Sequence, residues 1–167
     1  MKTLFIGGVN SGKSRLAETY ILKNIMGEGV KPYYLATTES FDAEMCERIQ
    51  VYQHRYEDQF ITLDEPLNLL STLENCDHPV LVESVSVWLS NMLYHQFSEA
   101  DILHELESAL ALPRELVLVH SEVGLGVISD NEMARQFVDL SGKAAQLMAQ
   151  HCDKVFFCIA GLTLTLK

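Results

Sequence analysis

The chain has 167 residues, 48% of them hydrophobic and 21% charged, with a formal net charge of −11. That length supports one domain with a full core and falls short of two ordinary ones. The acidic balance disfavours nucleic acid or an anionic membrane as partner, because both repel a like-charged surface, and it favours a small-molecule substrate. Cys46, Cys76, Cys152 and Cys158 lack paired metal-ligand spacing, so they read as reduced thiols. No apolar run approaches the roughly 18 residues of a membrane span, and no cleavable leader precedes the first strand. A soluble, cytoplasmic protein is expected.

In chain order, residues 2–6 (KTLFI) read as a short buried strand, followed by a Gly-rich turn. Residues 15–26 then place Leu16, Ala17, Tyr20, Ile21 and Ile25 on one helical face. The segments 31–36 (KPYYLA), 79–84 (PVLVES), 115–120 (ELVLVH) and 154–160 (KVFFCIA) are near-continuous apolar runs, as strands buried on both faces should be. A further strand is predicted over 60–63. Helical periodicity covers 41–56, with Met45, Ile49, Tyr52 and Tyr56, and 131–151, with Met133, Phe137, Leu140, Ala144, Leu147 and Met148. Shorter helices are predicted over 67–73, 87–97 and 100–110. Alternation of this kind predicts an α/β fold with a mostly parallel sheet flanked by helices, in one P-loop NTPase-like (RecA-like) domain spanning 1–167. Ligands bind such sheets at the carboxyl ends of strands, here Ala36-Thr37-Thr38, Glu83-Ser84 and Ser121-Glu122.

The turn carries the chemistry. Gly7, Gly8, Val9, Asn10, Ser11, Gly12, Lys13 and Ser14 form the pattern GxxxxGKS between a strand and a helix. Backbone N–H groups of such a loop curl around a polyphosphate, Lys13 reaches its outer oxygens, and Ser14 ligates Mg²⁺. The helix N-terminus adds its dipole to the same anion site. ATP or GTP is the expected ligand. Glu83 ends an apolar strand where a carboxylate beside Mg²⁺ belongs, which makes it the second metal partner. Asp42, Glu44, Asp64 and Glu122 are further acidic candidates, and Asp42 or Glu44 could orient an acceptor hydroxyl.

Five segments, GGVNSGKSRLAE (7–18), YLATTESFDAEMCERIQ (34–50), LVESVSVWLSNML (81–93), SEVGLGVISDNEMARQFVDLSGK (121–143) and AGLTLTLK (160–167), occur in an order that resembles the bifunctional adenosylcobinamide kinase and adenosylcobinamide-phosphate guanylyltransferase family of cobalamin biosynthesis. The WLSN, EVGxG and terminal GLxLxLK segments are its most specific marks. The resemblance implies two reactions. A nucleoside triphosphate phosphorylates the aminopropanol hydroxyl of cobinamide, and GTP then donates GMP through a guanylylated histidine. It further implies nucleotide contacts at residues 7–14, at Ala36, Thr37 and Thr38, at Gln53, His54, Arg55 and Tyr56, and at Asp64 and Glu83. A homotrimer is implied as well.

The chain departs from the family pattern at several positions. Tyr52 stands at the family's histidine position. A phenol with a pKa near 10 is not equivalent to a neutral imidazole as nucleophile, so guanylyl transfer is disfavoured and kinase activity favoured. His54 lies two residues on, about 200° around a continuing helix, and could replace it only if the helix ended near Tyr52 or the register shifted. Asn10 replaces a loop Arg, Ser121 an Asn, Ser129 a Pro, Ala145 an Asn and Phe60 a Trp. Lys13, Ser14 and Glu83 remain, and they suffice for γ-phosphoryl transfer, which rests on positioning and charge neutralisation. Two other readings are a P-loop kinase for another small alcohol and a nucleotide-binding module without transferase activity.

Overall fold

A computed structural model describes residues 1–25, 29–39 and 58–167. Its elements run β1 (Lys2–Gly7), α1 (Lys13–Asn24), β2 (Tyr33–Ala36), β3 (Ile61–Asp64), α2 (Leu69–Glu74), β4 (Val80–Glu83), α3 (Val85–Tyr94), α4 (Glu99–Ala111), β5 (Leu116–Ser121), α5 (Glu132–His151), β6 (Lys154–Ile159) and β7 (Leu162–Thr165). Each predicted strand overlaps an observed one, with ends that agree to within two residues. Prolines set two of the starts. Pro32 and Pro79 have no N–H to give a ladder, so β2 and β4 begin just after them. The predicted helix over 41–56 lies outside the described residues. No strand was predicted at β7, an alternating LTLT segment exposed at every position.

The seven strands form one sheet in the order β3-β2-β4-β5-β1-β6-β7, parallel except for the antiparallel β6–β7 pair. From β1 the chain crosses over β5 and β4 to reach β2, whereas from β5 it crosses over β1 to reach β6. Connections of neighbouring strands therefore leave in opposite directions, and the crevice opens at the carboxyl ends of β1 and β5.

Alternation along each strand feeds two cores. Leu4 and Ile6 of β1, Val80 and Val82 of β4, and Leu116 and Leu118 of β5 face the layer of α2 to α5, where Trp88, Leu89, Ile102, Leu106, Leu140 and Met148 are buried. Phe5, Leu81, Val117 and Val119 face the opposite way, against Ala17 and Ile21 of α1. Each fully buried side chain of this size contributes about 1.5–3 kcal/mol. Among the described residues, no helix is long and apolar enough to cross a membrane.

Helix α3 is tied to the loops beyond β2 and β3 by buried polar contacts. Asn91 Nδ2 donates to the carbonyls of Thr37 (2.7 Å) and Pro66 (3.0 Å), and Trp88 Nε1 donates to that of Leu67 (2.8 Å). Asn91→Ala leaves the Thr37 and Pro66 carbonyls without their donor and should destabilise the fold by about 2 kcal/mol. Urea denaturation of the two proteins measures this, and an unchanged midpoint would show that the contacts contribute nothing.

Candidate active site

The turn after β1 has the geometry its sequence requires. Gly12 sits at φ 88° and Asn10 at φ 57°, conformations that favour Gly and tolerate Asn. A side chain at Gly7 would collide with the Cys158 carbonyl oxygen and approach Ser11 Oγ to 2.7 Å. Ser11 N donates to Gly8 O at 3.2 Å, and Lys13 Nζ reaches back across the loop to the same oxygen at 3.2 Å. The hydroxyl of Ser11 is buried inside the turn without a hydrogen-bond partner among the described residues.

Helix α1 starts differently from α3, α4 and α5. Helices α3, α4 and α5 are capped by the side chains of Ser84, Ser98 and Asn131, each accepting a backbone N–H of the first turn. The cap of α1 is Gly12, which has no side chain to do this, and its first turn carries no acid. The N–H groups and the positive end of the helix dipole therefore face the loop uncompensated, an arrangement suited to an anion.

The acid opposite the loop is Glu83. Ser14 Oγ donates to Glu83 Oε1 at 2.9 Å, spanning the intervening strand β5. The other oxygen, Oε2, is buried with no partner among the described residues. Desolvation pushes the Glu83 carboxyl up to about 7, the Glu18 carboxylate adds to the rise, and the Ser14 hydroxyl and Lys13 ammonium oppose it. A desolvated carboxyl with an orphaned oxygen beside a serine hydroxyl is a fitting pair of ligands for a hard divalent cation.

Hydroxyl groups lace the strand ends beneath. Thr37 Oγ1 donates to Ser84 O (2.8 Å) and accepts from Ser84 N (3.0 Å). Ser86 Oγ lies 3.3 Å from Ser84 Oγ and accepts from Ser121 N at 2.9 Å. The ends of β2, β4 and β5 are thereby joined, and Glu122 N donating to Gly7 O (3.0 Å) joins β5 to the loop. Below it, His120 is fully buried, with Nε2 2.9 Å from Ser141 Oγ and Nδ1 without a partner among the described residues. Burial lowers its pKa to about 4, the Ser141 contact opposes the shift and the Lys13 charge adds to it, so the imidazole is neutral at pH 7. It places no second cation beneath Lys13.

The predicted residues divide into three groups. Lys13, Ser14 and Glu83 meet at the loop. Ala36 pairs in register with Glu83 on one side and with Asp64 on the other, which puts the exposed Asp64 two strand spacings from Glu83, about 10 Å along the sheet. Thr37 is buried in the hydroxyl network, and the carboxylate of Glu122 accepts from its own loop at Gly124 N (2.6 Å). Asp42, Glu44, Tyr52, Gln53, His54, Arg55 and Tyr56 lie outside the described residues. Sequence reasoning gave no site role to Ser86, Asn91, His120 or Gly161. Asn91 and Gly161 do fall in the WLSN and GLxLxLK segments that mark the family resemblance, and Gly161 also stands as a glycine between an apolar run and an alternating LTLT segment.

Fold and loop together define a P-loop α/β protein. A family model described as "Cobinamide kinase / cobinamide phosphate guanyltransferase" matches residues 3–166, and the chain belongs to that family. It is 36% identical over 173 residues to the bifunctional adenosylcobalamin biosynthesis protein CobP of Pseudomonas aeruginosa, covering 100% of this chain and 98% of that one. It is 29% identical over 186 residues to the bifunctional adenosylcobalamin biosynthesis protein CobU of Escherichia coli, covering both chains fully. The flagellar accessory protein FlaH of Methanocaldococcus jannaschii shares the fold, with a TM-score of 0.55 at 11% identity, over 99% of this chain and 77% of that one.

The Glu83 environment has a measurable signature. An acid whose folded pKa lies above its ordinary value of 4.5 favours the folded state fully below that value, and the contribution is lost as pH rises through about 7. Glu83→Gln removes the titration. Its melting temperature should gain on that of the wild type between about pH 5 and about pH 8. A difference constant across that range would exclude a desolvated carboxyl at this position.

Proposed function

We propose that the protein is a Mg²⁺-dependent kinase that moves the γ-phosphoryl group of ATP or GTP to the aminopropanol hydroxyl of a cobinamide. The observation that carries this reading is the convergence of Lys13, Ser14 and Glu83 on one uncapped helix start, in a chain that matches the family from end to end. In this reading the backbone N–H groups of residues 8–14 hold the phosphate chain, and Lys13 leaves Gly8 O to neutralise charge on the transferring group. Ser14 and Glu83 would hold Mg²⁺, which would supply electrostatic stabilisation of the phosphate oxygens. The acceptor oxygen forms a bond to the γ-phosphorus, the bond to the β–γ bridging oxygen breaks, and the nucleoside diphosphate leaves with that electron pair. The hydroxyl proton passes to a carboxylate or to solvent.

Guanylyl transfer is the weaker half of the reading. Its nucleophile in the family is a histidine at the position of Tyr52, and a protonated phenol does not replace it. The proposal extends to residues 1–167 as one nucleotide-binding domain in the cytoplasm, assembled as a homo-oligomer and without nucleic-acid or membrane partners.

Label transfer tests the assignment. With γ-labelled ATP or GTP, label should move to cobinamide in the wild type and fall by about a hundredfold or more in Lys13→Ala. Transfer only to another small alcohol would replace the acceptor, and tight nucleotide binding with no acceptor-dependent turnover would make the protein a binding module. With α-labelled GTP, no acid-labile, base-stable protein adduct should form. An adduct that disappears in His54→Ala would restore the covalent step.

A further inference from the structure

The phosphate loop leans on a hairpin near the far end of the chain. Strands β6 and β7 are joined by Ala160 at φ 52° and Gly161 at φ 76°, with Ile159 paired to Leu162 across the turn. Positive φ at both central residues is what a two-residue type I′ hairpin demands. The turn stands against Ser11 and Gly12, and strand β6 of the same hairpin against Gly7. Gly161 N donates to Ser11 O at 2.9 Å. A Cβ on Gly12 would lie 3.1 Å from Gly161 Cα, and one on Gly7 would strike the Cys158 carbonyl. The hairpin is itself anchored, since Lys167 Nζ donates to the carbonyls of Ala149 (3.0 Å) and Gln150 (3.3 Å) at the end of α5.

The bond to Ser11 O has a directional consequence. The Ser11 carbonyl and the Gly12 N–H belong to one planar trans peptide, so they point opposite ways. Holding the carbonyl outward on Gly161 fixes the Gly12 N–H on the other side of the peptide. Gly12, lacking a Cβ and already at positive φ, has little of its own to resist rotation of that peptide. We propose that Gly161 is a positioning residue for nucleotide binding, and that its N–H, by fixing the Ser11–Gly12 peptide, aims the Gly12 N–H at the phosphate chain. The inference rests on the reading of residues 7–14 as the nucleotide site. It explains the close fit of three loop residues to a hairpin outside the GxxxxGKS pattern.

The test removes the one donor. Native Cys158 allows a peptide of residues 158–167 to be ligated to residues 1–157, with the Gly161 amide replaced by an ester, and the whole chain refolded beside an all-amide control. The ester should weaken binding of a Mg²⁺-bound non-hydrolysable ATP or GTP analogue by about tenfold, as expected for losing one oriented donor to a charged group, with kcat at saturating nucleotide within about twofold of the control. Two full-length variants supply the same comparison by another route. Gly161→Asn, which tolerates positive φ, should keep nucleotide KM within about twofold, and Gly161→Val, which does not, should raise it about tenfold. An all-amide protein that binds while the ester binds equally well would overturn the inference alone. An all-amide protein that binds neither analogue would overturn the nucleotide site itself, and this inference with it.

Discussion

The hydrogen bond from Ser14 to Glu83 is the constraint around which the rest of the site is arranged. β1 and β4 are not neighbours, because β5 lies between them, and adjacent strands stand about 4.8 Å apart. Only a helix that begins directly at the end of β1 and runs back over β5 can set a first-turn hydroxyl against a carboxyl at the end of β4. That path requires the chain to reverse within residues 8–12, which explains the glycine and the left-handed conformations there. The crossing of α1 over β5 toward β2 also produces the crevice in which the loop sits.

Charge is arranged with equal economy. Lys13 is the cation of the loop motif, Glu83 is a carboxyl that desolvation leaves only about half ionised at pH 7, and His120 below is kept uncharged by burial. A polyphosphate arriving at the uncapped α1 terminus thus meets N–H donors and one ammonium, with a full carboxylate appearing opposite only as Glu83 loses its proton. A divalent cation between Ser14 and Glu83 would favour that loss, since a nearby positive charge stabilises the ionised carboxyl. Cation and carboxylate charge would then arise together, and a divalent cation with one carboxylate leaves net positive charge at the loop for an anionic ligand.

Much of this was legible in the sequence because the relevant signals are local. GxxxxGKS between an apolar strand and an amphipathic helix fixes the loop, and apolar runs ending in Ala36, Glu83 and His120 mark where parallel strands stop. Long-range partners were not legible. Asn91 belongs to the WLSN segment of the family resemblance, but nothing local shows that α3 carries it to the carbonyls of Thr37 and Pro66, 54 and 25 residues away. Ser86 holds the Ser121 N–H from 35 residues away, and His120 closes an apolar run with no sign that Ser141 will meet it. Strand β7 escaped for another reason. Its residues are exposed on both faces, so the apolar continuity that reveals the inner strands is missing.

Dependence of nucleotide binding on a divalent cation is the most direct measure of whether Ser14 and Glu83 work as a pair. Calorimetric titration of a non-hydrolysable ATP or GTP analogue, with Mg²⁺ and then with a chelator, reads it. The account predicts binding that weakens by about tenfold or more on chelation in the wild type and far less in Glu83→Gln, where the carboxylate partner is already gone. Equal affinity with and without the cation in the wild-type protein would contradict it.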